Sequence, residues 1–214
     1  MATLASVSAP KRSQLKLISF AAFGVLTVFV IYLKNGQILN PNSPIARHFA
    51  PAKGYLAVHA FFGILAMTVA AFQFSNRLRA RYLRLHGFLG YVYVTSVFIS
   101  APMAIALAMK ISTLSLTAAA AMQSLGWIVT TGIALYCVRQ GNVVQHRRWM
   151  IRSYPFAVVF TAVRTLLPLP PIARLGLAGR EIVVWLTVAL AAFLPDILLE
   201  WRTITSSRAR RNAA

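Results

Sequence analysis

The chain has 214 residues, 58% of them hydrophobic, and sets 22 Lys and Arg against three acids for a formal net charge of +19. Its mean hydropathy of +0.68 lies well above the balance of a water-soluble domain. Nucleic acid is excluded as the partner of that charge, because the basic residues separate long apolar runs instead of lining one solvated face.

Residues 1–14 are basic, free of acids, and read as a disordered tail. The run Leu15–Leu33 follows. It is long for the apolar part of a signal peptide, and Lys34-Asn35-Gly36 comes after it instead of a small-residue cleavage site. An uncleaved signal anchor is therefore expected. The next runs are Tyr55–Phe74, Gly87–Met109 and Leu116–Val138. Each reaches the roughly 20 residues that a helix needs to cross the hydrocarbon core, where every backbone amide must be satisfied internally. The fifth run, Trp149–Leu167, is interrupted by Pro155 and Arg164, and the sixth is Glu181–Trp201. A second basic, disordered tail is expected over 203–214. Residues 15–202 thus read as an all-α, polytopic domain of about six transmembrane helices.

The charges give an orientation. With the N-terminus inside, the cytoplasmic segments hold fifteen basic residues, among them Arg77, Arg79, Arg81 and Arg84, then Arg139, Arg147, Arg148 and Arg152. The outer segments hold six: Lys34, Arg47, Lys53, Lys110, Arg174 and Arg180. This alternation matches the positive-inside rule with both termini cytoplasmic. Anionic lipid headgroups are the first partners such a surface implies. Cys137 is the single cysteine, so an intrachain disulfide is impossible, and its place in an apolar run suits a small buried hydrophobe.

Few residues can carry chemistry. His59 falls one turn inside the expected outer end of the second run, and His48 lies in the outer loop. His86 opens the third run and His146 the fifth, both at the expected inner face. A short pattern occurs twice, His59-Ala-Phe61-Phe-Gly63 and His86-Gly-Phe88-Leu-Gly90. In each copy the glycine lies one turn from the histidine on the same helix face, where a missing side chain admits a flat ligand or a neighbouring helix. Close helix packing alone would account for the same spacing. The segment Gln145 to Tyr154 places His146 beside Arg147, Arg148 and Arg152. It serves as a positive-inside anchor with aromatic flanks, or as a ligand whose neighbouring arginines bind propionates, phosphates or another anion.

Taken together, His59 with Gly63, Phe72-Gln73-Phe74, His86, Trp127, and the His146–Tyr154 run with Arg164 resemble the bacterial domain-of-unknown-function 2306 family. The likeness covers about Tyr55 to Leu167. The family pattern carries Arg after the histidine of the third run, where this chain has Gly87. The resemblance implies a multi-pass protein of the bacterial cytoplasmic membrane and names no reaction.

Two chemistries follow from the residues. The first is a haem-b protein passing electrons, with His59, His86 and His146 as candidate ligands and Arg147, Arg148 and Arg164 as candidate anion contacts. His86 and His146 sit at similar depth for bis-histidine ligation, His48 pairs with His59 if the loop folds back, and a quinone is a candidate redox partner. The second is a non-haem metal site or transporter-like cluster of His86, His146, Asp196 and Glu200. Asp196 and Glu200 project from one helix face at i, i+4, although pairing with the nearby arginines explains them better. A purely structural or assembly subunit is the remaining reading. For Arg164, Glu181 is the expected partner.

Overall fold

A computed structural model describes residue 29 and residues 40–211. The expected span Leu15–Leu33, apart from Phe29, and the tail 1–14 lie outside the described residues. The rest is helical. In chain order the helices are α1 (Pro44–Phe49), α2 (Lys53–Gln73), α3 (Asn76–Arg81), α4 (Leu83–Ile111), α5 (Leu114–Arg139), α6 (Val143–Leu166), α7 (Pro170–Ala173) and α8 (Gly176–Arg211), with a 3-10 turn at Ala50–Ala52 between α1 and α2.

The helix boundaries follow from capping chemistry. Ser43 Oγ accepts from the Ala46 amide ahead of Pro44 at the start of α1, Ser75 does the same for Leu78 in α3, and Thr113 for Leu116 in α5. Each satisfies an amide that has no partner within its helix. Gly141, at φ +72, closes the turn after α5 in a conformation that costs a glycine nothing. Asn142 then caps α6 through the Gln145 amide at 3.1 Å. The last helix runs on to Arg211, past Trp201, where the sixth apolar run ends.

Among the described residues four helical stretches are long and apolar enough to cross a membrane: Pro44–Gln73, Leu83–Ile111, Leu114–Arg139 and Gly176–Trp201. They correspond to four of the expected runs, the first of them lengthened by α1. The fifth run is also a helix, α6, but it is the polar one. It packs against α5, α8 and α2, and its Arg148, Arg152 and Ser153 bond side chains of neighbouring helices. Pro155 lies within it and removes one backbone donor without ending it.

The core is built from small residues and a few large ones. Ala66 and Ala70 of α2, Tyr93, Val97 and Ala101 of α4, Trp127 of α5, Phe156 of α6 and Val188 of α8 are buried together. Alanines let helix backbones approach, which is how helices pack where lipid is as apolar as leucine. Large apolar side chains such as Phe61, Phe88, Leu114 and Phe193 face outward, as they do on a surface solvated by lipid.

A polar network runs through this core. Trp127 Nε1 donates to Tyr93 Oη at 3.0 Å, Tyr93 Oη lies 2.7 Å from Ser153 Oγ, and Ser153 Oγ lies 2.7 Å from Thr131 Oγ1. It joins α4, α5 and α6 where water cannot satisfy any of these groups, so each depends on the others.

Candidate functional site

A cavity of about 660 Å³ opens at the end of the bundle that holds His59. Its walls come from α1, α2, α4, α5, α6 and the start of α8, and its lining is mostly aliphatic and aromatic. The exceptions include His48, His59, Gln123, Arg164 and Arg180. An apolar chamber with a few convergent polar groups, in the roughly 300–1,000 Å³ range, is the usual form of a ligand or cofactor site. Trp127 lines it as well, so the chamber abuts the polar network of the core.

His59 is held by Ser100 of α4. Its Nδ1 lies 3.0 Å from both the backbone oxygen and the Oγ of Ser100, while that hydroxyl donates to the His59 backbone oxygen at 3.0 Å. The serine hydrogen is therefore committed, and a carbonyl only accepts. Nδ1 must carry the imidazole proton, which leaves Nε2 with its lone pair. A ring nitrogen fixed in this way by a backbone carbonyl is the usual support behind a metal-ligating histidine. Gly63 makes the arrangement sterically feasible: a Cβ there would meet Ser100 Oγ at 3.3 Å.

The second His-x-Phe-x-Gly copy is built alike in the antiparallel direction. A Cβ on Gly90 of α4 would lie 3.7 Å from Gln73 Nε2, and that amide donates to the His86 backbone oxygen at 2.8 Å. Each copy thus takes a polar side chain from the opposite helix. Here, however, the histidine ring is not held: His86 Nδ1 and Gln73 Oε1 are buried without hydrogen-bond partners.

The expected site residues separate into two groups. His59, His48 and Arg164 share the chamber. His48 sits in α1, with its ring edge-on to Phe49 at 5.3 Å, and lines the same cavity as His59. His86 and His146 lie at the other end, within electrostatic reach of one another and of Arg147, and neither lines the chamber. His146 Nδ1 is 2.9 Å from the Ala134 backbone oxygen. Nearby, the Arg79 guanidinium is pulled below its ordinary value by burial first and then by the charge of Arg147.

The four residues of the metal reading do not form one group. Arg152 Nε and Nη2 lie 2.7 and 2.5 Å from Asp196 Oδ1, and Arg148 Nη2 lies 2.8 Å from Glu200 Oε1. No three His, Cys, Asp and Glu side chains converge as metal ligands among the described residues. The carboxylates satisfy arginines because Arg148 and Arg152, one turn apart on α6, match Asp196 and Glu200, one turn apart on α8. The expected pairing of Arg164 with Glu181 is corrected as well. Glu181 Oε1 accepts from Thr113 Oγ1 at 3.0 Å, and Arg164 lies 5.3 Å over the Phe160 ring. Ser100, Gln123 and Arg180 were not legible as site residues. A serine inside an apolar run and an arginine at a helix start carry no signal until the helices are assembled.

An all-helical bundle with several apolar spans and a chamber among them is a membrane-embedded protein. The family described as a predicted membrane protein (DUF2306) matches residues 56–204, and the chain belongs to that family. No curated protein and no solved structure matches it.

Proposed function

We propose that this chain is a six-span protein of the bacterial cytoplasmic membrane that holds one haem b in the chamber and passes electrons through it. The observation that carries the reading is His59: an imidazole with Nδ1 tied to a backbone carbonyl, Nε2 free, and a cofactor-sized cavity around it. His48 is the candidate second ligand, and the arginines of the same chamber suit the propionates. This favours the His59 end over the His86 and His146 pair, whose rings line no part of the chamber.

The six-span topology rests on α6 and on charge. At 1.5 Å per residue its 24 residues extend about 36 Å, enough to cross the hydrocarbon core. The distribution of arginines favours the His146 end as cytoplasmic. Held there by His59 and His48, a haem would supply one-electron chemistry, with a quinone or a protein partner as the counterpart.

The test is the visible spectrum of the full chain, purified in detergent from haem-replete cells, before and after dithionite. A sharp reduced α-band that is lost in His59→Ala and kept in His146→Ala supports the reading. A flat wild-type spectrum overturns it.

A further inference from the structure

We infer that Arg164, with Arg180 beside it, is a carboxylate seat, and that the chamber selects its occupant by that anionic head. The inference rests on the same chamber as the haem reading but not on iron ligation.

Charge balance sets Arg164 apart. The chain contains three acidic side chains, Glu181, Asp196 and Glu200. Asp196 and Glu200 are held by Arg152 and Arg148, and Glu181 accepts from Thr113. None is bridged to Arg164. Its guanidinium is partly buried in the wall of an apolar cavity, with the Phe160 ring as its aromatic neighbour. The ionisable groups that line the same cavity, His48, His59 and Arg180, are basic.

A cation held near the bilayer's hydrocarbon layer is costly unless it is paired or reaches water. Two guanidiniums at one wall, without a carboxylate between them, form a site of strong positive potential whose natural complement arrives from outside. The planar two-oxygen fork of a carboxylate matches a guanidinium. Most of the remaining wall, including Ile64, Met67 and Val163, is aliphatic or aromatic and suits an apolar body. The occupant class is therefore an amphiphile with a carboxylate head, which includes haem through its propionates and long-chain fatty acids.

The test compares acids with their esters on the purified full chain. Haem and haem dimethyl ester are followed by absorbance; a fluorescent long-chain fatty acid and its methyl ester are followed by emission. Arg164→Gln and Arg164→Lys are measured beside the wild type, with elution volume and helical signal as folding controls. Wild type is expected to favour the acid of each pair it binds on the order of tenfold, as befits a charge-assisted hydrogen bond. Arg164→Gln should erase the preference and Arg164→Lys restore part of it.

Discrimination between fatty acid and ester in a protein that takes no haem keeps the seat and overturns the haem reading. Equal binding of haem and its diester keeps the haem reading and overturns the seat. Binding of no probe overturns both. If Arg164→Gln does not fold, the acid-to-ester ratio of the wild type still decides.

Discussion

The two ends of the bundle share a local device and differ in what surrounds it. At the chamber end, Gly63 leaves room for Ser100, which fixes the His59 ring; at the opposite end, Gln73 passes Gly90 at an ordinary contact distance, bonds the His86 backbone and leaves the ring alone. The contrast extends to charge. Near His146 the arginines are many, and two of them have carboxylate partners. Near His59 they are few, and Arg164 has none. The arginine-rich end thus has its acids close at hand, whereas the cavity end carries guanidinium charge without an ion pair to a carboxylate.

Replacing the histidine at each end probes the contrast most strongly. His59→Ala should abolish the reduced α-band, while His146→Ala should leave most of it. If His48 and His59 together hold the haem, His48→Ala should retain it and shift the spectrum toward a high-spin form. Loss of the band in His146→Ala together with its retention in His59→Ala would reverse the assignment of the two ends.

The chamber can also be altered without touching a polar group. A Cβ on Gly126 of α5 would lie 2.6 Å from the tip of the Phe156 ring, and Phe156 lines the cavity. Gly126→Ala must displace that ring, with an overpacking cost of about 1–3 kcal/mol. Thermal unfolding in detergent should show the loss, and haem retention should fall with it. Gly90→Ala, at 3.7 Å from Gln73 Nε2, should be close to neutral. Equal penalties at the two glycines would remove the distinction drawn between them.

Much of this molecule was legible in its sequence. The apolar runs gave the helices, because bilayer thickness fixes span length and the backbone leaves no alternative to a helix. The repeated His-x-Phe-x-Gly spacing points to two places where a glycine could make room; only Gly63 sits at a tight approach, and the spacing does not say what enters. Ser100 and Gln73 come from 41 and 13 residues away, and no local pattern encodes such a meeting. The polarity of α6 obscured its role for a physical reason: hydropathy assumes that a helix faces lipid, and this one is surrounded by α2, α5 and α8. Spacing places Asp196 and Glu200 on one helix face and the nearby arginines favour pairing, but which arginine meets which acid depends on the register of α6 against α8.

Removing the Tyr93 hydroxyl should have a moderate effect. Tyr93→Phe leaves Trp127 Nε1 without its acceptor and cuts the link to Ser153, both fully inside the core. The expected loss is about 1 kcal/mol, since intramembrane hydrogen bonds contribute little individually, although a buried donor left unpaired adds to the cost. Chemical or thermal unfolding of the variant in detergent measures it. Because Trp127 also lines the chamber, a change in the haem spectrum of this variant would show that the network positions the wall as well as stabilising the core.

The smallest effect is expected where the ion pairs are most conspicuous. The Arg148 and Glu200 side chains are 34% and 56% exposed, so water and salt already screen them. Such pairs contribute about 0.2–1 kcal/mol. Glu200→Gln should lower stability by no more than that, and less at high salt. Asp196→Asn should cost somewhat more, because Arg152 is only 18% exposed and both its Nε and Nη2 contact the same carboxylate oxygen. The ordering of these two variants, measured in one detergent at low and high salt, tests whether the arginine-rich end is a screened electrostatic clamp. If either substitution abolished cofactor binding while leaving stability intact, the division of labour between the two ends would be wrong, since in this account neither carboxylate acts on the chamber.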